Sequence, residues 1–365
     1  MTTDTQLAPL AADLDHILAH TEGLWEPLRG QAVFITGGTG FFGRWLLESF
    51  AEANRQLELE AQAVVLSRHP ENFRTQAEKL ASDPAIRLVQ GDVRTLNANG
   101  IRAQLGSSHS KPFAAVIHAA AETSVPANRD HPLTTLETML NGTRRALAFA
   151  AETGARNFLL TSSGAVYGEQ PAQLSHVPEN YPGAPDVASP LSAYGEGKRV
   201  AELLCNLDAQ THGLNCKIAR CFAFVGPYLP LDAHFAIGNF IRDALAGETI
   251  QIQGDGTPFR SYLYAADLAI WLWTLLLHPQ AAGTYNVGSA EAFSIREIAQ
   301  CVSRQSPRQP PVNVARQPDP RRPAQRYVPD VHRARHELGL EAWTSLDESV
   351  RKTLNFHQSI PGIHQ

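Results

Sequence analysis

Apolar residues occupy consecutive positions in five short runs along the first half of the chain, and segments with helical spacing separate these runs. The runs cover residues 33–36, 61–66, 86–90, 113–117 and 157–160. A run that is apolar at consecutive positions is typical of a parallel strand that is buried on both faces. Strands that alternate with helices in this order predict a doubly wound, parallel α/β sheet.

The segments between these strands carry apolar residues at the three- and four-residue spacing of helices. This spacing predicts long helices over residues 132–152 and 192–208. The run LAIWLWTLLL at 268–277 has no polar side and predicts a helix buried in the core. Residues 170–190 contain five prolines and little periodicity, which indicates a long loop.

The second half of the chain has shorter and more mixed elements. The pattern there predicts strands over 216–219, 249–252 and 284–287, helices over 235–246, 294–303 and 346–357, and a proline- and arginine-rich loop over 307–322. We therefore expect an N-terminal helical extension at 1–29, a doubly wound domain at 30–221 and a smaller mixed α/β lobe at 222–365. This lobe is expected to be partly interleaved with the first domain.

A glycine-rich loop follows the first strand. In AVFITGGTGFFG, at 32–43, the strand runs into Gly37, Gly40 and Gly43, with Phe41 and Phe42 as further candidate cofactor contacts, and a helical pattern of large apolar residues begins at Trp45. Such a loop lets a phosphate approach the backbone, and the helix N-terminus offers free N–H groups and a positive dipole end. The spacing is that of a pyrophosphate site in dinucleotide-binding folds, although glycine turns between a strand and a helix also occur for packing alone.

The composition of the chain argues against several other classes of function. The chain has 365 residues and a formal charge of −5, so it offers no basic field for nucleic acid or for an anionic membrane. It contains no apolar run long enough for a membrane span, and its acidic N-terminus lacks the basic region of a secretory signal. Four cysteines without close pairing predict buried thiols in a reducing compartment, and the scattered histidines predict no metal site. We expect a cytoplasmic enzyme.

Polar or small residues follow the ends of the predicted strands, where ligands bind in a parallel sheet. The candidate cofactor contacts at these ends are Ser67, Arg68, Asp92, Val93, His118, Ala119 and Ala120. A serine and a guanidinium after the second strand suit the 2′-phosphate of NADP, whereas a carboxylate there would favour NAD. Stacking of Arg68 on the adenine of NAD is the alternative. For His118 the alternative is an ordinary strand-end residue.

The pair Tyr194-x-x-x-Lys198 carries the candidate chemistry. Residues four apart share a helix face, so the Lys198 ammonium can lower the pKa of the Tyr194 phenol and hold the cofactor ribose. A tyrosine tuned in this way can give or take a proton near neutral pH. Ser163, at the end of the fifth strand, is the candidate third member that binds the reacting oxygen. A chain that contains the glycine loop, the serine and the tyrosine–lysine pair together is much rarer than a chain that contains any one of these motifs.

These motifs together resemble the extended short-chain dehydrogenase/reductase family of nucleotide-sugar epimerases, dehydratases and reductases. The resemblance covers about residues 30–360. It is carried by TGGTGFFG at 36–43, GDV at 91–93, HAAAETS at 118–124, NGT at 141–143, SSGAVYG at 162–168, YGEGK at 194–198, RCFAFVGP at 220–227, GDGTPFRSYLYAADLA at 254–269 and YNVGS at 285–289.

The resemblance implies a Rossmann domain, a bound NADP or NAD and a nucleotide diphosphate sugar as substrate. It also implies a homodimer built on a four-helix bundle, from the helix near 132–152 and the helix that carries Tyr194. On the substrate side, it places Arg260 at the diphosphate and Glu122 and Thr123 beside the sugar. Asn239, together with Arg321 or Arg322, completes a nucleotide clamp in this interpretation, with a solvated position as the alternative. We expect Asp267 to cap the following helix.

Two departures from the family pattern bear on the choice of reaction and on the substrate contacts. The 4,6-dehydratases carry an Asp–Glu pair directly after the catalytic hydroxyl, where this chain has Gly164 and Ala165, and the related decarboxylases usually keep the glutamate. Neither side chain can transfer a proton, so dehydration and decarboxylation are disfavoured. Ala223 replaces an asparagine that helps many members to hold the substrate.

The remaining reactions need only the serine, the tyrosine, the lysine and the cofactor. Our leading hypothesis is a reductase of a nucleotide-activated 4-keto-6-deoxyhexose, because NADP favours net reduction. A nucleotide-sugar 4-epimerase with tightly bound NAD is the alternative. A 4,6-dehydratase and a non-catalytic cofactor-binding sensor are less favoured, the sensor because Ser163, Tyr194 and Lys198 are all present.

Overall fold

The computed structural model describes residues 10–106, 111–121, 125–233 and 235–359. Its strands are β1 (Ala32–Thr36), β2 (Gln62–Ser67), β3 (Ile86–Gln90), β4 (Phe113–His118), β5 (Asn157–Ser163), β6 (Asn215–Cys221), β7 (Phe224–Val225), β8 (Ile250–Ile252), β9 (Phe259–Arg260), β10 (Leu263–Tyr264), β11 (Gly283–Val287), β12 (Phe293–Ser294), β13 (Val312–Val314) and β14 (Arg326–Tyr327).

The α-helices of the described residues alternate with these strands in the first half and interrupt them in the second. They are α1 (Ala11–His20), α2 (Phe41–Gln56), α3 (Pro70–Gln76), α4 (Glu78–Ala81), α5 (Ala98–Leu105), α6 (Val125–Asp130), α7 (Pro132–Thr153), α8 (Ala193–His212), α9 (Ala236–Ala246), α10 (Ala265–Leu277), α11 (Ile295–Gln305), α12 (His332–Leu338) and α13 (Leu346–Ser359).

Seven parallel strands form the central sheet in the order β11-β6-β5-β4-β1-β2-β3. The five strands predicted in the first half are all present, and the doubly wound α/β fold is confirmed. β5 continues beyond its predicted end, through Ser163. β11 lies in the second half of the chain but pairs with β6, so the second half completes the edge of the main sheet.

Two apolar layers cover the sheet, because successive side chains of a strand point to opposite faces. Val33 and Ile35 of β1 pack in one layer with α1, α2 and α10, whereas Phe34 packs in the other with α7 and α8. Every residue of α10 is buried, as its sequence predicted. The carboxyl ends of the parallel strands lie at one edge of the sheet, and this edge carries the candidate site residues.

A third apolar cluster holds the rest of the second half together. It joins α9, α11, α13 and β8 through residues such as Ile241, Ile298 and Leu354. Three small sheets accompany it: β7 with β10, β8 with β13, and β9 between β12 and β14. β13 lies inside residues 307–322, which were predicted as a loop throughout. The pairing of Val312 with Ile250 is a long-range contact that a local pattern does not reveal.

The N-terminal extension contains α1, which packs on the core. Its buried Asp13 accepts a hydrogen bond from the Tyr264 hydroxyl at 2.7 Å and one from Lys352 Nζ at 2.5 Å. Asp267 does not cap a helix, contrary to prediction, because α10 already begins at Ala265. Its buried carboxylate instead accepts from the main-chain N–H of Thr344 at 2.9 Å and contacts His16 at 3.1 Å.

Three further findings concern the described residues only. None of their helices is long and apolar enough to cross a membrane. No group of three or more histidine, cysteine or acidic side chains among them is arranged to hold a metal ion. The four cysteines are buried and carry free thiols.

Candidate functional site

The glycine loop between β1 and α2 has two glycines required by packing and one that faces open space. A Cβ atom at Gly37, where φ is +73°, would lie 2.5 Å from the Ala119 carbonyl carbon, and one at Gly43 would lie 2.3 Å from Gly38. A Cβ atom at Gly40 would have only the Gly37 oxygen nearby, at 3.6 Å. The exposed surface at Gly40 lies at the N-terminus of the 16-residue helix α2 and fits a pyrophosphate group.

His118, at the end of β4, is buried and bonded on both sides of its ring. Its Nδ1 atom lies 2.8 Å from the Thr36 hydroxyl, and its Nε2 atom lies 3.2 Å from the Thr143 hydroxyl. Burial, helped by the charge of Lys198, lowers the pKa of His118 to about 3, so the ring stays neutral. The side chain therefore links β1 to α7. The predicted cofactor contacts at Ala119 and Ala120 follow it at the open edge.

The ends of β2 and β3 carry more positive charge than the sequence analysis recognised. Arg68 is exposed, and Ser67 is buried with its hydroxyl accepting from the His69 N–H at 3.2 Å. Arg94, which was not predicted, donates to the Asp92 carboxylate at 2.6 Å and 3.0 Å. Hydrogen bonds from Arg94 lower the pKa of Asp92, and the nearby charge of Arg68 acts in the same direction. Val93 is buried.

Ser163 ends β5 and stands at the centre of the candidate catalytic group. Its Oγ atom accepts a hydrogen bond from the Ala165 N–H at 3.1 Å, which starts the short 3₁₀ turn Gly164–Tyr167. Burial raises the pKa of the Tyr194 and Tyr327 phenols, and Ser163 acts on both pKa values in the opposite direction. The fold thus brings the predicted serine and tyrosine together and adds a second tyrosine.

Tyr194 and Lys198 lie one turn apart at the start of α8. Lys198 is buried and its Nζ atom donates to the Thr161 carbonyl at 2.7 Å, while burial lowers its pKa to about 8. Burial raises the pKa of Tyr194 to about 12 despite the hydrogen bond with Ser163. The expected lowering of the Tyr194 pKa by Lys198 is therefore wrong for the protein alone, because burial disfavours the phenolate and the ammonium is directed at Thr161.

Tyr327 on β14 is a site residue that the sequence analysis missed. A Cβ atom at Gly164 would lie 2.6 Å from the Tyr327 hydroxyl oxygen and 2.8 Å from Phe222 Cζ. The Phe222 and Tyr327 rings pack with their centroids 4.7 Å apart. The volume in which a side chain at 164 would lie is therefore filled by two aromatic rings. No local motif indicates this, because the contact depends on the pairing of β14 with β9.

The structure places some of the predicted substrate-side residues near the candidate catalytic group and others away from it. Arg260 on β9 pairs in register with Tyr327, and this pairing brings it beside the candidate catalytic group. Asn239 is half-buried on α9 and accepts from Arg242 at 3.3 Å. The Arg322 side chain is 87% exposed and 3.9 Å from Asp319, on the surface. Glu122 and Thr123 lie outside the described residues.

A buried polar network lies directly behind the catalytic group. Glu202 accepts a hydrogen bond from the Ser162 hydroxyl at 2.5 Å and pairs with Arg220, whose Nη2 atom is 2.6 Å away. Arg220 also donates to the Tyr167 hydroxyl at 2.8 Å, and Tyr167 donates to Asn286 at 2.7 Å. The sequence analysis missed this network, although Glu202 follows Tyr194 and Lys198 at the same four-residue spacing.

Comparison with known proteins agrees with this arrangement. A model of the NAD dependent epimerase/dehydratase family matches residues 33–288. UDP-glucuronic acid decarboxylase 3 of Arabidopsis thaliana is 30% identical over 324 residues, which cover 87% of this chain and 86% of that protein. UDP-glucuronic acid decarboxylase 1 of Danio rerio is 31% identical over 241 residues, which cover 66% of this chain and 56% of that protein.

Solved structures share the fold across nearly the whole chain. The UDP-glucose 4-epimerase of Thermotoga maritima superposes with a TM-score of 0.73 at 20% identity, covering 90% of this chain and 99% of its own. The dTDP-glucose 4,6-dehydratase of Streptomyces venezuelae superposes with a TM-score of 0.72 at 23% identity, covering 90% and 97%. At these identities, the structures establish the common Rossmann architecture.

Proposed function

Because the chain belongs to the NAD dependent epimerase/dehydratase family, we propose that it is an oxidoreductase that reduces a nucleotide-activated 4-keto-6-deoxyhexose. The observation that carries the proposal is the convergence of Ser163, Tyr194 and Lys198 at the open sheet edge, next to a position where no acidic side chain is present. These three residues suffice for proton transfer at a sugar oxygen.

Each residue has a separate task in the proposed reaction. Tyr194 gives its phenolic proton to the oxygen of the reacting sugar carbon, and Ser163 binds the same oxygen. Lys198 keeps a positive charge beside them and helps to hold the cofactor ribose. Gly37, Gly40 and Gly43 would hold the cofactor pyrophosphate, with Phe41 and Phe42 at the helix N-terminus. A bound nicotinamide cofactor supplies the hydride.

The two residues after Ser163 support reduction over dehydration and decarboxylation, two of the reactions named for relatives. Dehydratases and decarboxylases that resemble this family carry proton-transferring side chains at the positions of Gly164 and Ala165. Glycine and alanine cannot transfer a proton. The proposed reaction therefore differs from that of the decarboxylases with which the chain shares about 30% identity.

We propose NADP as the preferred cofactor. Ser67 and the exposed Arg68 end β2, and Arg94 lies beside Asp92 at the end of β3. Guanidinium groups suit a 2′-phosphate, and no carboxylate ends β2 to oppose it.

A nucleotide-sugar 4-epimerase with tightly bound NAD is the second candidate function. It uses the same serine, tyrosine and lysine and likewise needs no acidic residue at 164 or 165. The observation that favours it is that a carboxylate, Asp92, follows β3 in the GDV segment that resembles the family's adenine-side motif, and a carboxylate can bind the ribose of NAD.

We further propose a homodimer in which α7 and α8 of two copies form a four-helix bundle. Leu133 of α7 is 75% exposed, and Leu203 and Leu207 of α8 are 56% and 50% exposed. Burying such side chains against a second copy is favourable. The four buried, free cysteines support the cytoplasm as the proposed location.

A cofactor-consumption assay tests the proposed function. The purified protein is incubated with NADPH or NADH and with UDP- and dTDP-linked 4-keto-6-deoxyglucose, and oxidation of the cofactor is followed by absorbance. We expect stoichiometric consumption of NADPH, loss of at least about a hundredfold in Tyr194→Phe, and no loss in the control Tyr285→Phe. Interconversion of hydroxy-sugar nucleotides without added cofactor would instead identify the epimerase.

A further inference from the structure

Asn286 on β11 is fully buried, and its side-chain amide uses both of its hydrogens and its oxygen. The Nδ2 group donates to the Val177 carbonyl at 2.9 Å and to the Asp330 carbonyl at 3.0 Å, and the Oδ1 atom accepts from the Tyr167 hydroxyl at 2.7 Å. A buried amide that is satisfied in this way holds its partners in one arrangement. It joins three segments that are remote in sequence: the turn after β5, the loop at 170–190 and the residues that follow β14.

Further hydrogen bonds fix the same end of the 170–190 loop. The Asn286 N–H donates to Glu179 Oε1 at 2.9 Å, and the Glu179 carbonyl accepts from Arg220 at 3.0 Å. Val177 exchanges two main-chain hydrogen bonds of 2.9 Å with residues 328–330. This end of the loop is therefore fastened to the second half of the chain.

The other end of the 170–190 loop lies on the first turn of α8. The Asp186 carbonyl accepts from the Ser192 hydroxyl at 2.6 Å. A Cβ atom at Gly195 would lie only 2.7 Å from Pro185 Cγ, so the loop and the helix are in close contact there. These two contacts lie on either side of Tyr194 in the sequence of α8.

A third contact lies one turn further along α8. Arg199 Nη1 donates to the Gly183 carbonyl at 3.0 Å and to the Val166 carbonyl at 3.2 Å. Val166 belongs to the turn that follows Ser163, and Arg199 directly follows Lys198. The 170–190 loop therefore contacts the helix beside both members of the tyrosine–lysine pair.

We propose that Asn286 is a positioning residue for Tyr194: it fixes the 170–190 loop, and the loop fixes the first turn of α8, which carries Tyr194. Asn286 acts through the loop and not by contact with the reacting atoms. Proton transfer depends on the place of the donor, and a displacement of about 1 Å can lower the rate about a hundredfold. The proposal rests on the proposed oxidoreductase function and adds a residue to it.

Asn286→Ala tests the first link, because it removes the three side-chain hydrogen bonds and leaves the main-chain bonds of the loop. Well below the unfolding temperature, we expect kcat to fall about 10–100-fold and the KM for the cofactor to change less than about threefold. Asn157→Ala is the matched control, since its amide accepts from Lys217 at 2.6 Å at the amino end of the sheet. Wild-type kcat in Asn286→Ala, or an equal loss in Asn157→Ala, would overturn the proposal.

Ser192→Ala tests the second link and is decisive even if Asn286→Ala does not fold. It removes the 2.6 Å hydrogen bond to the Asp186 carbonyl, so we expect kcat to fall about threefold to tenfold with the fold retained. Ser303→Ala is the matched control, because its hydroxyl also donates to a carbonyl several residues away, that of Pro310 at 2.7 Å.

The two links should not act independently. A double variant of Asn286→Ala and Ser192→Ala should lose less kcat than the product of the two single losses, because both substitutions act on one loop. Losses that multiply, or a normal kcat in Ser192→Ala, would contradict the proposal.

Hydrogen exchange, which needs no turnover, separates this inference from the proposed function. By mass spectrometry, we expect Asn286→Ala to speed amide exchange at least about tenfold in residues 174–186 and in residues 196–200 of α8, and Ser192→Ala to do so in the helix. Asn157→Ala should leave both segments at the wild-type rate. If the wild type reduces no keto-sugar, the proposed function fails, and the exchange still decides whether Asn286 holds the start of α8. Faster exchange in the loop alone, or in neither segment, would overturn the inference.

Discussion

Glu202 and Arg220 form an ion pair with a 2.6 Å contact, and their side chains are only 9% and 16% exposed. The pair lies behind the end of β5, because Glu202 also accepts from Ser162, the neighbour of Ser163. It joins α8, which carries Tyr194 and Lys198, to the sheet. The network is therefore well placed to hold the serine and the tyrosine–lysine pair in one arrangement.

Breaking this pair should destabilise the protein strongly. Glu202→Gln leaves the Arg220 charge buried without its partner, and we expect the free energy of unfolding to fall by about 3–5 kcal/mol in urea denaturation. Glu341→Gln is the matched control, since its 2.7 Å contact with Arg335 is exposed and should contribute about 0–1 kcal/mol. Equal losses of stability in the two variants would show that the buried Glu202–Arg220 pair contributes no more to stability than an exposed pair does.

We expect Lys198 to lower the stability of the folded protein although activity requires it. Its pKa of about 8 in the folded protein lies below the ordinary 10.5, so the unfolded chain binds more protons between these pH values and stability rises with pH across them. Lys198→Met should therefore stabilise the protein by up to about 3 kcal/mol below pH 8, with the gain vanishing near pH 10.5. Turnover should fall at least about a hundredfold.

Lys217→Met is the control for this prediction. Lys217 is equally buried, its pKa is also lowered to about 8, and it lies near the amino end of β6, where it contacts Asn157 at 2.6 Å. Thermal unfolding followed from pH 7 to pH 10.5 should show the same direction of change in both variants, with activity lost only in Lys198→Met. Activity retained in both would contradict the assigned role of Lys198.

We expect substitutions at two glycines of the loop to have different effects, one mainly on stability and the other mainly on cofactor binding. Gly43→Ala places a Cβ atom 2.3 Å from Gly38 and should destabilise the protein by about 1–3 kcal/mol. Gly40→Ala has room within the protein and should cost less than about 1 kcal/mol, but it should weaken cofactor binding about tenfold. Calorimetric titration with the cofactor, together with thermal unfolding, measures both effects. Normal cofactor binding by Gly40→Ala would exclude the loop as the pyrophosphate site.

Arg68 should determine the preference between the two nicotinamide cofactors. Arg68→Ala removes a charge-assisted hydrogen bond to a 2′-phosphate, so the KM for NADPH should rise about 10–100-fold while the KM for NADH stays nearly constant. Arg74→Ala, an exposed arginine on α3 paired with Glu71, is the control. A parallel change in both KM values would show that Arg68 stacks on the adenine instead.

The sequence alone predicted the architecture, and it led to the proposal of Ser163, Tyr194 and Lys198 as the central chemical group. Consecutive apolar runs, glycines and helical spacing are local signals, and they located the five strands, the loop at 37–43 and the helix that carries Tyr194 and Lys198. Parallel strands place their carboxyl ends at one edge. For that reason Ser163 could be joined to the tyrosine–lysine pair before the fold was known.

Only the tertiary structure decided which distant residues meet at that edge, and with what electrostatic effect. The β9–β14 pairing brings the Tyr327 hydroxyl against Gly164, Arg322 is left on the surface, and Asp267 binds Thr344 instead of capping α10. The pKa of Tyr194 rises because burial outweighs its hydrogen bond. Packing between segments that are remote in sequence determines these contacts and the burial that shifts the pKa values. No short-range pattern in the chain predicts either of them.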